Sequence, residues 1–327
     1  MNEGAEAKRA ALKLRLGNSW RVRSAPRVLQ RRISLAGGFQ REDLLLDFGG
    51  GEGIPAILTR PLSNTGPIPA VLYCHAHGNR YETGCIELTE GRPALQQPAY
   101  AAPLASLGIA ALSLDMPCFG GRRRESEAAR SKRMLWRGGT LFGEMLSDLA
   151  GGLDFLAMRD DIDAQRVGAL GLSMGATLAF WLAALDGRVR ALAQLCVLAD
   201  LESLIEAGAH DLHGHYMTVP GLLPGFPAGE IAGLAAPRPQ FVGLGALDPL
   251  TPEPARSLSL DQLRLAYTKE GGGEQLTVHL EHGSGHAETA GMRRAVLEFL
   301  RKALNGTPTD EPMDDSAISG QSGHLHY

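Results

Sequence analysis

The run Gly171-Leu172-Ser173-Met174-Gly175 sets a hydroxyl between two glycines, directly after the apolar stretch RVGALGL and directly before ATLAFWLAAL. G-x-S-x-G in that setting is the pattern of a strand turning sharply into a helix, with the serine thrown outward at the bend. Glycines suit such a bend because side chains at those positions would collide. A hydroxyl is a weak nucleophile at neutral pH, so the chemistry also requires a base within reach and an acid to orient it. His286, in LEHGSGHAET, is the expected base; His282 competes for the role, but Gly285-His286 supplies the flexible turn a base needs to reach the serine. Asp248, in QFVGLGALDPLTP, is the expected acid, with Asp200 as the alternative unless it caps the helix beginning LESLIEAG. The order along the chain is then serine, aspartate, histidine.

Attack by such a serine on an acyl carbon builds negative charge on oxygen, and fixed N–H donors must meet it. Met174 N–H, at the positive end of the helix that follows the serine, is one expected donor. The second is His77 N–H in Cys74-His75-Ala76-His77-Gly78-Asn79, with Ala76 and Gly78 as neighbours. His75 is read as pinning this loop through its ring and, less directly, as a pocket residue together with His215 and Tyr216. Around these, His210 and His213 line the pocket or hold its loop, and Met217, Leu222, Leu223 and Phe226 form an apolar wall. The same histidines with Asp211 offer donors suited to a metal, but no HExxH or closed ligand set accompanies them, so no metal is expected.

The elements that position these groups are legible as apolar runs: 43–48, 54–59, 70–75, 109–115, 166–172, 189–195, 240–245 and 276–280, eight candidate strands in all. The first two alternate around GGGEG, as in a hairpin; Gly50, Gly51 and Gly53 lack G-K-[ST] and precede a strand, which argues against a phosphate loop. The later runs are continuously apolar, as buried parallel strands are. Helical patterns lie between them at about 98–107, 141–158, 175–186, 253–268 and 287–304, so the sheet is doubly wound and its chemistry belongs at strand C-termini. Two stretches break the alternation, 116–140 and 200–235, and are expected to be insertions facing the substrate. In the first of them Asp115, just before it, ties down the loop, and Arg122, Arg123 and Arg124 read as a solvated basic turn. The remaining organisation is an N-terminal accessory helix and lead-in over 1–36, one domain over 37–305, and a polar, acidic, disordered tail over 306–327.

Composition narrows the class. At 327 residues the chain suits one large α/β domain; 44% hydrophobic and 21% charged residues are ordinary for a globular core. With 32 Lys+Arg against 36 Asp+Glu, the net charge of -4 offers no general attraction to nucleic acid or an anionic membrane, so small-molecule partners are favoured. Cys74, Cys85, Cys118 and Cys196 are scattered without metal-type spacing and read as reduced thiols. The N-terminus lacks the apolar stretch of a secretory signal and no run has the length of a membrane span, which points to the cytoplasm.

The set PAVLYCHAHGN, SLDMPCFGGR, RVGALGLSMGAT, VGLGALDPLTP and GSGHAE resembles the α/β-hydrolase superfamily over about residues 40–305. The H-x-H-G-N loop, the stretch GTLFGEMLSDLAGGLDFLAMRDDIDAQRVGALGLSMG and the HGHYMTVPG segment are similar to its dienelactone-hydrolase-like and acetyl-xylan-esterase-like branch. That resemblance implies an α/β-hydrolase fold, carboxylesterase or deacetylase activity through an acyl-enzyme, and no cofactor, with Ser173, Asp248 and His286 on the motif positions. Two departures stand out: serine replaces the cysteine of true dienelactone hydrolases, and Ala76 replaces a glycine frequent after the loop histidine. The competing readings are an amidase or peptidase of prolyl-oligopeptidase-like type, for which the chain has no room for a screening domain, and a non-catalytic binding protein on the same fold.

Overall fold

The computed structural model describes residues 3–21, 24–63 and 66–306. Its centre is one nine-stranded sheet in the order β1-β2-β3-β5-β4-β6-β7-β8-β9. These are β1 (Arg27–Ala36), β2 (Phe39–Asp47), β3 (Ile54–Pro61), β4 (Ile68–Cys74), β5 (Ala110–Leu114), β6 (Ile162–Leu172), β7 (Ala191–Leu195), β8 (Gln240–Gly245) and β9 (Leu276–Glu281). The first three strands and β5 pair antiparallel, whereas β5, β4, β6, β7, β8 and β9 run parallel to their neighbours. The helices are α1 (Glu3–Arg15), α2 (Glu87–Glu90), α3 (Ala101–Ser106), α4 (Glu127–Trp136), α5 (Leu141–Ala157), α6 (Met174–Leu185), α7 (Leu201–Glu206), α8 (Ala228–Gly233), α9 (Ala255–Lys269) and α10 (Ala290–Asn305).

The central strands carry apolar residues at every position because both faces of the sheet are covered. In β4, Ala70, Leu72 and Cys74 join a core completed by α1, α5, α6, α8 and α9. Val71 and Tyr73, pointing the other way, join a second core with α3 and α10. All the parallel strands therefore end at one edge, and the loops that leave their C-termini meet there.

The sheet has one strand more than the eight expected. The extra strand is β1, within the segment read as a lead-in. RVLQRRISLA is exposed along most of its length and carries three arginines, so burial imposes no alternating pattern on it. Its place is set by pairing with β2 and by charge: Arg31 Nε donates to the buried Glu42 at 2.8 Å. The 116–140 stretch holds a real helix, α4, whose Ser126 side chain accepts from Ala129 N–H. Arg122 is not solvated. Its guanidinium is 3% exposed and donates to Asp148 at 2.6 Å and to Glu52 at 3.0 Å. Of the expected tail, residues 307–327 lie outside the described residues. Among the described residues no helix is long and apolar enough to cross a membrane.

Candidate active site

β6 runs without a loop into α6, and Ser173 takes the turn at φ 57° and ψ -124°. A non-glycine residue there is strained, and the surroundings must enforce it. They do so by crowding: a Cβ on Gly171 would lie 2.3 Å from the Gly175 carbonyl carbon. Ser173 N–H is also tied to the end of the neighbouring strand, donating to Leu195 O at 2.9 Å. The hydroxyl is thereby presented above the sheet edge, at the N-terminus of a helix whose residues are all buried.

The loops after β8 and β9 bring Asp248 and His286 together. Ala246 N–H donates to Glu281 O and Leu247 N–H to Ser284 O, both at 2.9 Å, stitching one loop to the other. Asp248, 2% exposed, then accepts from His286 Nδ1 at 2.7 Å on one oxygen and from Leu250 N–H at 2.8 Å on the other. With Nδ1 committed to Asp248, the lone pair of His286 lies on Nε2. Ser173 and His286 share the wall of a cavity of about 200 Å³. His282 is exposed, and Asp200 caps α7, accepting from Ser203 N–H at 3.0 Å. Of the competing residues, the fold thus joins His286 and Asp248 and sends His282 and Asp200 elsewhere.

The loop after β4 forms the opposite wall with Ala76 and Gly78. His75 is fully buried: its Nδ1 donates to Ala76 O at 3.1 Å and its Nε2 accepts from Met116 N–H at 3.1 Å. Burial lowers its pKa to about 4, so the ring stays neutral and braces the loop. The expectation that His75 also lines the pocket is corrected; it has no surface to offer. His77 is fixed at both ring nitrogens, Nδ1 accepting from Asn79 N–H at 3.0 Å and Nε2 donating to Glu127 at 2.6 Å. Ala76 N–H is spent on Glu87, at 3.2 Å to each carboxylate oxygen. Among the described residues no protein acceptor takes His77 N–H or Met174 N–H.

The 200–235 segment contributes differently from expectation. Tyr216 is 4% exposed and reaches Glu127 through its backbone N–H at 2.7 Å, rather than lining the serine cavity. His215 is exposed and borders a separate groove of about 480 Å³ with His210, His213, Met217, Leu222 and Leu223. Phe226 turns away to α1, where the Arg15 guanidinium lies 4.6 Å from its ring centre. His213 stands near the His286–Asp248 pair; burial lowers its pKa, and its Nε2 is buried without a partner. The sequence reading missed Glu87, Arg92 and Glu127: Arg92 lines the serine cavity, Glu87 holds the Arg92 guanidinium, and Glu127 holds His77, Tyr81 and Tyr216. Only Glu127 carried a signal, since a serine directly before a helical run marks an N-terminus.

A mostly parallel sheet wound by helices on both faces, with a strained serine at the strand-to-helix bend, defines an α/β-hydrolase. The chain is 39% identical over 263 residues to YtaP of Bacillus subtilis (strain 168), a protein whose name places it among hydrolases; the match covers 80% of this chain and 88% of YtaP. It belongs to the YtaP family. Among solved structures, a glucuronoyl esterase from Solibacter usitatus superposes with a TM-score of 0.68 at 15% identity, covering 92% of each chain. An acetyl xylan esterase from Paenibacillus sp. R4 gives 0.61 at 19% identity, covering 93% of this chain and 95% of its own. The chain matches no family model.

Proposed function

We propose that the protein is a serine hydrolase of carboxylic esters, with Ser173 as nucleophile, His286 as general base and Asp248 as the acid that orients it. The observation that carries this is the 2.7 Å contact of Asp248 with His286 Nδ1 beside a cavity that His286 shares with Ser173. In this reading Ser173 Oγ attacks the acyl carbon as its proton passes to His286 Nε2. Asp248 stabilises the resulting imidazolium, and the N–H groups of Met174 and His77 receive the oxyanion. His286 then returns the proton to the departing alcohol, leaving an acyl-Ser173, and water releases the acid by the same steps with His286 again as base. No cofactor enters this sequence. The hydrolase name of YtaP and the esterase names of the structural neighbours support the same reaction class.

The cavity at Ser173 is about 200 Å³, small beside the roughly 300–1,000 Å³ of sites for drug-sized ligands. It fits the acyl side of a short ester. The four cysteines are buried and unpaired, which fits a reducing compartment, and we place the enzyme in the cytoplasm. The test is hydrolysis of p-nitrophenyl acetate, butyrate and octanoate by wild-type and Ser173→Ala protein. Acetate and butyrate turned over faster than octanoate, with loss of roughly 10⁴-fold or more in kcat on substitution, is expected. Equal rates in the two proteins would overturn the assignment.

A further inference from the structure

The N–H proposed to receive the oxyanion belongs to the peptide joining Ala76 to His77, and the carbonyl of that same peptide is Ala76 C=O. This peptide is trans, so its N–H and C=O point in opposite directions. Whatever holds the carbonyl aims the N–H. Two side chains hold it: Arg92 Nη2 donates at 2.7 Å and His75 Nδ1 at 3.1 Å. The arginine is itself fixed. Its Nε donates to Glu87, its side chain is 4% exposed and that of Glu87 is 0% exposed. Glu87 is anchored in turn by Tyr73 OH at 2.7 Å and by Ala76 N–H. The peptide on the near side of Ala76 is therefore gripped through its N–H, and the one on the far side through its C=O.

We infer that Arg92 is a positioning residue for the oxyanion site: its guanidinium grips Ala76 C=O from behind and so orients and polarises the N–H of His77. The inference rests on the esterase reading above. A cation on the carbonyl oxygen draws electron density through the amide and makes its N–H a stronger donor, an effect enlarged where water is excluded. The fork geometry matters, because one guanidinium serves the Glu87 carboxylate and the Ala76 carbonyl at the same time; a lysine ammonium is a single point and lacks that reach. Gly78 belongs to the same construction. It sits at φ +52°, and a Cβ there would lie 2.5 Å from Arg92 Nη1, so the guanidinium needs a glycine opposite it. Arg92 also lines the cavity that holds Ser173 and His286, so the test must separate aiming of the N–H from direct contact with a bound ligand.

The experiment compares wild type with Arg92→Lys and with the double variant Glu87→Gln/Arg92→Gln, which removes the guanidinium without leaving a buried carboxylate unpaired. The readouts are p-nitrophenyl acetate turnover, inhibition by an alkyl trifluoromethyl ketone, and inhibition by the matching methyl ketone. The first ketone adds to the serine and forms an oxyanion, whereas the second binds essentially as a ground-state ligand. Both variants are expected to lose roughly 10–100-fold in kcat with KM changed little, and to lose the same factor in affinity for the trifluoromethyl ketone. Methyl ketone affinity should hold within about twofold, because ground-state binding does not use the aimed N–H. Full kcat in either folded variant, or equal weakening of both ketones, would overturn the inference. Labelling of wild-type Ser173 by a fluorophosphonate separates the two levels of argument. With Ser173 labelled, a failed prediction counts against Arg92 alone; without labelling, the esterase reading falls and the inference falls with it.

Discussion

Gly175 passes so close to Cys74 that a Cβ on the glycine would stand 1.9 Å from the Cys74 carbonyl oxygen. The first turn of α6 thus rests directly on the end of β4, and this contact seats the serine bend over the sheet edge. Gly175→Ala has no flexible side chain to displace, only backbone. It is expected to cost about 3 kcal/mol or more, the upper part of the range for overpacking, measured by denaturant unfolding. Turnover should fall with it, because any shift of α6 moves Ser173 and Met174 N–H together. A variant with wild-type midpoint and rate would mean that the bend tolerates a wider spacing than its geometry allows.

The pairing of Asp248 with His286 predicts an uneven mutational pattern. Asp248→Asn keeps the shape but offers a poor partner to Nδ1–H, and should lower kcat by roughly 10⁴-fold, as loss of the acid does in comparable triads. His282→Ala, at an exposed position four residues before His286, should leave kcat within about twofold, as a surface substitution away from the reacting groups does. Steady-state kinetics on the two variants decides the matter; the reverse pattern would transfer the base to His282.

The proposed nucleophile and its partners were readable because each rests on a local rule. A strand pattern, two glycines and a helix pattern flank Ser173, and the loops after the last two strands carry Asp248 and His286. What lay outside reach follows from non-local pairing. Glu87 opens the single-turn helix α2 and Arg92 lies in the loop just after it, too short a stretch to show periodicity, and only folding reveals that they grip the Ala76 loop. Arg122 shares a run with Arg123 and Arg124, so its burial against Asp148 cannot be told from composition. The strand over Arg27–Ala36 escaped notice because an exposed edge strand has no buried face to mark its sequence. His75 pins its loop through its ring as its place in that loop suggests, and only its secondary role in the pocket fails; Tyr216, expected in the pocket, is buried against Glu127 by a contact between segments far apart in the chain.

The four thiols give a prediction of a different kind. Burial pushes Cys118 and Cys196 up to about 12, and raises Cys74 and Cys85 as well, so almost no thiolate exists at neutral pH. Iodoacetamide at pH 7.5 should leave esterase activity essentially unchanged, while a fluorophosphonate abolishes it. Rapid alkylation of a native cysteine with loss of turnover would point to a thiol within the working site and against serine as the nucleophile.

Glu127 joins three segments that meet at the site. One oxygen accepts from His77 Nε2 at 2.6 Å and from Tyr81 OH at 2.8 Å, and the other accepts from Tyr216 N–H at 2.7 Å. Burial opposes ionisation of this carboxyl, but the donors outweigh it and hold the group below the usual glutamate value of 4.5. A folded-state pKa below the unfolded one means that the stabilisation is complete above the unfolded value and fades as pH falls through the folded one. Glu127→Gln keeps the shape but replaces one acceptor oxygen with an NH₂ that faces donors, and should cost roughly 2 kcal/mol at pH 7. The difference between wild type and variant should stay constant from pH 7 to about pH 5 and narrow below that, because protonation then removes the same acceptor from the wild type. Urea unfolding at a series of pH values measures this directly. A gap that persists unchanged at pH 3 would show that the carboxylate's charge contributes nothing, and that the three segments are held by packing among His77, Tyr81, Phe119 and Tyr216.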